Sequence, residues 1–151
     1  MALHMPREIE TDSGRAPFMK RALSLARRGL GKVEPNPMVG CVLVRGDQIV
    51  AEGYHRKFGG PNAEVDALNR ARKANIDPSQ CEMCVTLEPC NHQGKTPPCT
   101  DAVIDSGVKR LYVAMRDPNP NVAGKGIGKL RRAGVDVHVG LLGDESRSLN
   151  E

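Results

Sequence analysis

Tryptophan is absent from the 151 residues, and Phe18, Tyr54, Phe58 and Tyr112 are all the aromatic rings there are. A surface that reads RNA by stacking bases needs more aromatic material than this, so sequence-specific RNA binding is not expected. Long apolar runs are lacking too. The longest, Met38 to Val44, has seven residues against the roughly 20 that cross a bilayer, which excludes a helical membrane span. Residues 1–15 are polar and charged with no apolar stretch before a small-residue cleavage site, so nothing marks secretion and the expected compartment is the cytoplasm. Neither charge dominates. Twenty-two Lys and Arg against 18 Asp and Glu leave a net charge of +4, mildly favourable for a phosphorylated small molecule or for RNA without distinguishing them.

What is present is enough for one domain, since a chain of this length buries about 70% of its unfolded surface and needs no disulfide staple. Residues 1–14 read as a flexible leading segment and 15–151 as the domain. Its five cysteines, Cys41, Cys81, Cys84, Cys90 and Cys99, are odd in number, and four fall within 19 residues. In a reducing compartment that pattern favours metal binding or catalysis over disulfides.

Periodicity predicts the elements. Phe18, Met19, Ala22, Leu23, Ala26 and Leu30 repeat at helical spacing, with Pro17 in the first turn and Gly31 as the stop. Met38 to Val44 and Gln48 to Gly53, joined through Arg45-Gly46-Asp47, predict an antiparallel hairpin. A helix starts near Asn62, a residue type common at N-caps. Further strands are expected around 83–87, 111–115 and 135–139, with helices after Cys99, around Ile127 and Leu130, and near the C-terminus. A hairpin followed by helix and strand units predicts an α/β protein with a mixed sheet covered on both faces.

Three pieces carry the chemistry: Asn62-Ala63-Glu64 at a helix start, Glu88-Pro89-Cys90 after a strand, and Pro97-Pro98-Cys99 before the next helix. They have the layout of a zinc deaminase, in which two thiolates and a residue at the first position of H-x-E hold Zn²⁺ while the Glu shuttles protons. Alternatives compete with this. Cys81-x-x-Cys84 with Cys90 and Cys99 could form a structural four-cysteine zinc site, although Cys84 lies in an apolar strand, where it and Cys41 read as core residues. Residues 124–129, GKGIGK, look like a phosphate loop but match neither glycine-rich pattern, and read as a loop entering a helix.

Eight residues separate Cys90 from Cys99, more than the two of the usual P-C-x-x-C. The stretch Thr86 to Cys99, TLEPCNHQGKTPPC, resembles the deaminase domain of the bifunctional riboflavin-biosynthesis deaminase/reductase family. Pro35-Asn36-Pro37-Met38-Val39-Gly40-Cys41-Val42, Gly53-Tyr54-His55, Ala63-Glu64-Val65 and Arg116-Asp117-Pro118-Asn119-Pro120 resemble the same family in the same order, over about residues 17–150. The resemblance implies a three-layer α/β/α fold with a mixed five-stranded sheet, similar to cytidine deaminases. It implies hydrolytic deamination of 2,5-diamino-6-ribosylamino-4(3H)-pyrimidinone 5′-phosphate, with Zn²⁺ held by Cys90 and Cys99 and Glu64 as proton carrier. Asn36, His55, His92, Lys95, Asp117 and Asn119 match substrate-pocket positions, Lys95 as a phosphate contact. A homodimer is a further expectation; the family generally carries a reductase domain after the deaminase, and as the chain stops about where that domain would begin, it is expected to be either truncated or monofunctional.

One position departs from the family pattern: Asn62 stands where the third zinc ligand, a histidine, is expected. Asn Oδ1 lies as many bonds from Cα as His Nδ1, yet a carboxamide oxygen is a poorer zinc ligand. The expectation is a weakened or empty metal site in an intact pocket; a catalytically silent binding or scaffold module is the alternative.

Overall fold

The computed structural model describes residues 14–92 and 97–151, so the leading segment and Lys95 lie outside the described residues. Five strands form one sheet in the order β2-β1-β3-β4-β5. They are β1 (Gly40–Arg45), β2 (Gln48–Tyr54), β3 (Glu82–Val85), β4 (Arg110–Val113) and β5 (Asp136–Val139). β1 runs antiparallel to β2 and β3, whereas β3, β4 and β5 are parallel. The expected mixed sheet is present.

Period-2 alternation assigns every central strand residue to one of two cores. Leu43, Met83, Val85, Leu111 and Val113 face one side, where α2 (Ala63–Lys73), α3 (Cys99–Ser106) and α4 (Lys125–Arg132) supply Ala67, Leu68, Val103, Ile127 and Leu130. Val42, Val44, Cys84 and Tyr112 face the other, against Met19, Ala22 and Leu25 of α1 (Ala16–Ala26) and Leu141 just before α5 (Gly143–Leu149). This is the three-layer α/β/α arrangement.

α1 begins on Pro17 as expected, but it stops at Ala26 and continues as a 3₁₀ turn, Arg27–Gly29, before Gly31 takes a φ of 79°. Leu30 therefore leaves the buried face and is 69% exposed. The tighter turn rotates it off the 3.6-residue stripe on which the expectation rested. Glycine permits two close approaches that position the site. A Cβ on Gly53 would lie 2.4 Å from Ala67 N, so α2 crosses directly over β2. A Cβ on Gly126 would lie 2.2 Å from Pro89 O, so α4 starts on the Glu88–Pro89 backbone.

Cys41, Cys81 and Cys84 are buried, Cys84 beside Met19 and Tyr112 on the α1 side and Cys81 on the opposite side. Burial pushes the Cys84 thiol up to about 12. A four-cysteine zinc site is thereby excluded. His138 is half-exposed and stacks on Tyr112 at 5.0 Å between centroids, with its Nε2 on Asp136.

Candidate active site

Loops at the carboxyl ends of β3 and β4 meet the start of α2 around a cleft of about 230 Å³. Asn36, His55, Asn62, Glu64, Cys90 and Asp117 are among the residues lining it, so the structure brings together six of the ten residues singled out from sequence. Cys99 stands immediately behind, in contact with Asn62 and Cys90. His92 is exposed near Cys90, and Asn119 is exposed with its Oδ1 accepting from Asn121 N. Neither lines the cleft.

Cys90 follows Pro89 at the end of β3, and Cys99 opens α3, where unpaired amides and the helix dipole favour negative charge. Thr100 N donates to Cys90 O at 3.1 Å, and Cys99 N donates to Cys90 Sγ at 3.4 Å, which fastens the two backbones side by side. The neighbouring Cys99 side chain, with the Cys99 and His92 amides, lowers the Cys90 thiol against the opposing effect of burial, while Cys90, burial and the nearby Glu64 raise Cys99.

Asn62 sits at the N-cap position of α2 but does not cap it. Its Nδ2 instead donates to Cys99 Sγ at 2.7 Å and to Cys90 Sγ at 3.7 Å. The sequence offered the carboxamide oxygen as a stand-in near the vacated ligand position. Two acceptor sulfurs repel an oxygen and attract the N–H₂ end, which explains the reversal. A catalytic zinc site draws three ligands from His, Cys, Asp or Glu, and among the described residues no group of three such side chains could hold a metal. The donor set does not fit the ion. His55 cannot replace the absent imidazole, because both its ring nitrogens are engaged. Its Nδ1 donates to Pro61 O at 3.0 Å, which leaves Nε2 to accept from Asn36 Nδ2 at 3.1 Å.

Glu64, 3% exposed, is the second residue of α2. Burial raises its carboxyl to about 7, partly offset by its own backbone amide and reinforced by the charge on Cys90. A carboxyl there holds or yields a proton near neutrality, as a proton carrier must.

Two residues that sequence reasoning passed over complete the surroundings. Asp66 accepts from Tyr54 N and Arg56 Nε, both at 3.1 Å, and so ties the end of β2, and His55 after it, to α2. Glu88, 5% exposed, accepts backbone N–H groups from Asp117, Gly124 and Ile127. Glu88 stood in a quoted motif, but its three partners lie 29 to 39 residues away and only folding brings them in. Because the Gly124 and Ile127 amides are spent on Glu88, residues 124–129 form the entry to α4 and not a phosphate loop.

With this architecture in hand, the chain belongs to the family described as the cytidine and deoxycytidylate deaminase zinc-binding region, whose model matches residues 13–115. Within it, the diaminohydroxyphosphoribosylamino-pyrimidine deaminase of Buchnera aphidicola is 47% identical over 135 residues, 89% of each chain. The riboflavin biosynthesis protein RibD of Escherichia coli is 51% identical over 134 residues, which cover 89% of this chain and 36% of that protein. The crystal structure of a diaminohydroxyphosphoribosylaminopyrimidine deaminase/5-amino-6-(5-phosphoribosylamino)uracil reductase from Thermotoga maritima superposes with a TM-score of 0.88 at 49% identity, over 93% of this chain and 40% of that one. The chain thus spans about a third of the length of most of its curated relatives.

Proposed function

We propose that the cleft hydrolytically deaminates the phosphoribosylated diaminopyrimidinone of riboflavin biosynthesis. The observation that carries this reading is Glu64, a buried carboxyl poised near neutrality beside the Cys90–Cys99 pair in an open cleft. Relatives at about half identity named for this deaminase support the substrate.

The inner cleft shares Asn36, Pro37, Leu87 and Asp117 with an outer groove of about 680 Å³ that extends to Arg147 and Leu149. The pyrimidine ring belongs in the first and the sugar phosphate in the second. Asn36, held by His55, and the Asp117 carboxylate offer a donor and an acceptor to a ring bearing amino and carbonyl groups. Lys95, as a phosphate contact, and His92 belong to the same reading as substrate-binding residues, and Asn119 acts by shaping the loop that carries Asp117. Glu64 takes a proton from the attacking water and returns it to the departing ammonia, so hydrolysis needs no external acid or base.

Zinc dependence belongs to this reading as a property that Asn62 impairs: Cys90 and Cys99 remain, the third donor does not. Cytoplasmic location, a homodimer and partnership with a reductase domain complete the proposal; among the described residues no helix is long and apolar enough to cross a membrane. The deciding experiment measures zinc content and ammonia release from the aminopyrimidine for the native chain and for Asn62→His. Gain of both by the variant supports the reading. A histidine variant that holds zinc and leaves the aminopyrimidine intact overturns it.

A further inference from the structure

We infer that Glu88 is a positioning residue that sets the place of Asp117 in the cleft, and through it the hold on the substrate. This rests on the proposed deaminase reading. Glu88 Oε1 accepts from Asp117 N and Gly124 N, both at 3.0 Å, and Oε2 accepts from Ile127 N at 3.1 Å. Its own N–H donates to Met115 O at 3.0 Å. One residue at the end of β3 therefore grips both ends of the loop that leads from β4 to α4. Ile127 N is one of the amides left unpaired in the first turn of α4, where a carboxylate also meets the positive end of the helix dipole.

The loop itself is held by short local turns: Asp117 Oδ1 accepts from Asn119 N and Asn119 Oδ1 from Asn121 N. Such turns shape a loop without placing it relative to the sheet. Placement comes from the Glu88 carboxylate, bonded to the backbone N–H of Asp117, a residue that lines the cleft with Glu64 and Cys90. An acceptor at that place suits an amino or hydroxyl donor of the substrate, and a shift of about 1 Å in such a group is costly to a positioned ligand.

The test uses the full chain and the deaminated product, 5-amino-6-(5-phosphoribosylamino)uracil, as calorimetric ligand, with amide exchange read at residues 117, 124 and 127. Asp117→Ala and Glu88→Ala each weaken binding about tenfold or more, and the double variant binds no worse than Asp117→Ala alone, because residues acting through one contact are not additive. Glu88→Gln keeps one oxygen for the Asp117 and Gly124 amides, so its affinity stays within about threefold and only the Ile127 amide exchanges faster. Rescue by Gln separates positioning from general support of the fold, and it decides the matter if Glu88→Ala does not fold. A silent Asp117→Ala, an additive double variant, or a Gln variant as weak as Ala overturns this inference while native binding leaves the deaminase reading standing. Absence of binding by both the native and the Asn62→His chains overturns both.

Discussion

Glu64 and Glu88 are equally sequestered, at 3% and 5% exposure, and they do opposite things. Glu88 is ringed by three backbone N–H groups that replace the water its carboxylate lost. Glu64 is offered its own backbone amide against a larger cost of burial, and its proton affinity rises to the working range of an acid–base group. Burial alone therefore does not make a carboxylate reactive. The supply of donors decides, since amides that replace lost hydration turn a buried carboxylate into an anchor for the backbone around it.

The comparison is broken most severely at Glu64. Glu64→Gln, made in the Asn62→His chain where turnover is expected to be higher, is expected to lower ammonia release by about 10²- to 10⁴-fold. Its unfolding free energy should change by under about 1 kcal/mol, because an amide there is no worse solvated than a buried acid. Near-normal turnover would remove Glu64 from the chemistry.

Glu88→Ala should reverse that profile. Three charge-assisted bonds are lost and three amides are left short of partners, so urea unfolding should show a loss of about 3 kcal/mol or more. A loss below about 1 kcal/mol would mean that water replaces the carboxylate freely.

Asn62→His tests the donor principle at the sulfurs. An imidazole supplies the third ligand where Nδ2–H now points, and metal analysis should find one zinc per chain, with turnover rising at least about 10- to 100-fold. One tightly held zinc in the native chain, with unchanged turnover, would contradict this account of Asn62.

The smallest effect belongs to a carboxylate that keeps part of its contact with water. Glu52 pairs with Arg21 through Oε2 to Nε at 2.5 Å and Oε1 to Nη2 at 3.0 Å, and that bond holds its carboxyl below the usual range. A folded-state value below the unfolded one gives stability above the unfolded value near 4.3, lost as pH falls through the folded value. With both partners about a third exposed, the contribution should stay below about 1 kcal/mol. Comparing the urea midpoints of the native chain and Glu52→Gln at pH 7 and pH 3 checks it: the difference should shrink in acid.

Much of this was readable in advance. Pro17, the Arg45-Gly46-Asp47 turn and the helix start near Asn62 follow from local rules of periodicity and turn chemistry. The errors had local causes as well. Leu30 fell out of the buried stripe when the last turn of α1 tightened, and Asn62, a good N-cap type, gave its amide to two sulfurs that no local rule places beside it. Asp66 and Glu88 were overlooked because an acidic residue in a list of letters reads as solvated until its donors are known.

Sequence by itself determined the class of fold, through periodicity along one chain, and the family, through motifs repeated in the same order. Tertiary structure alone decided which end of the Asn62 amide meets sulfur, and which of two buried glutamates is ringed by backbone amides. Those outcomes depend on donors and acceptors contributed from up to 39 residues away, whose distances exist only once the chain has folded.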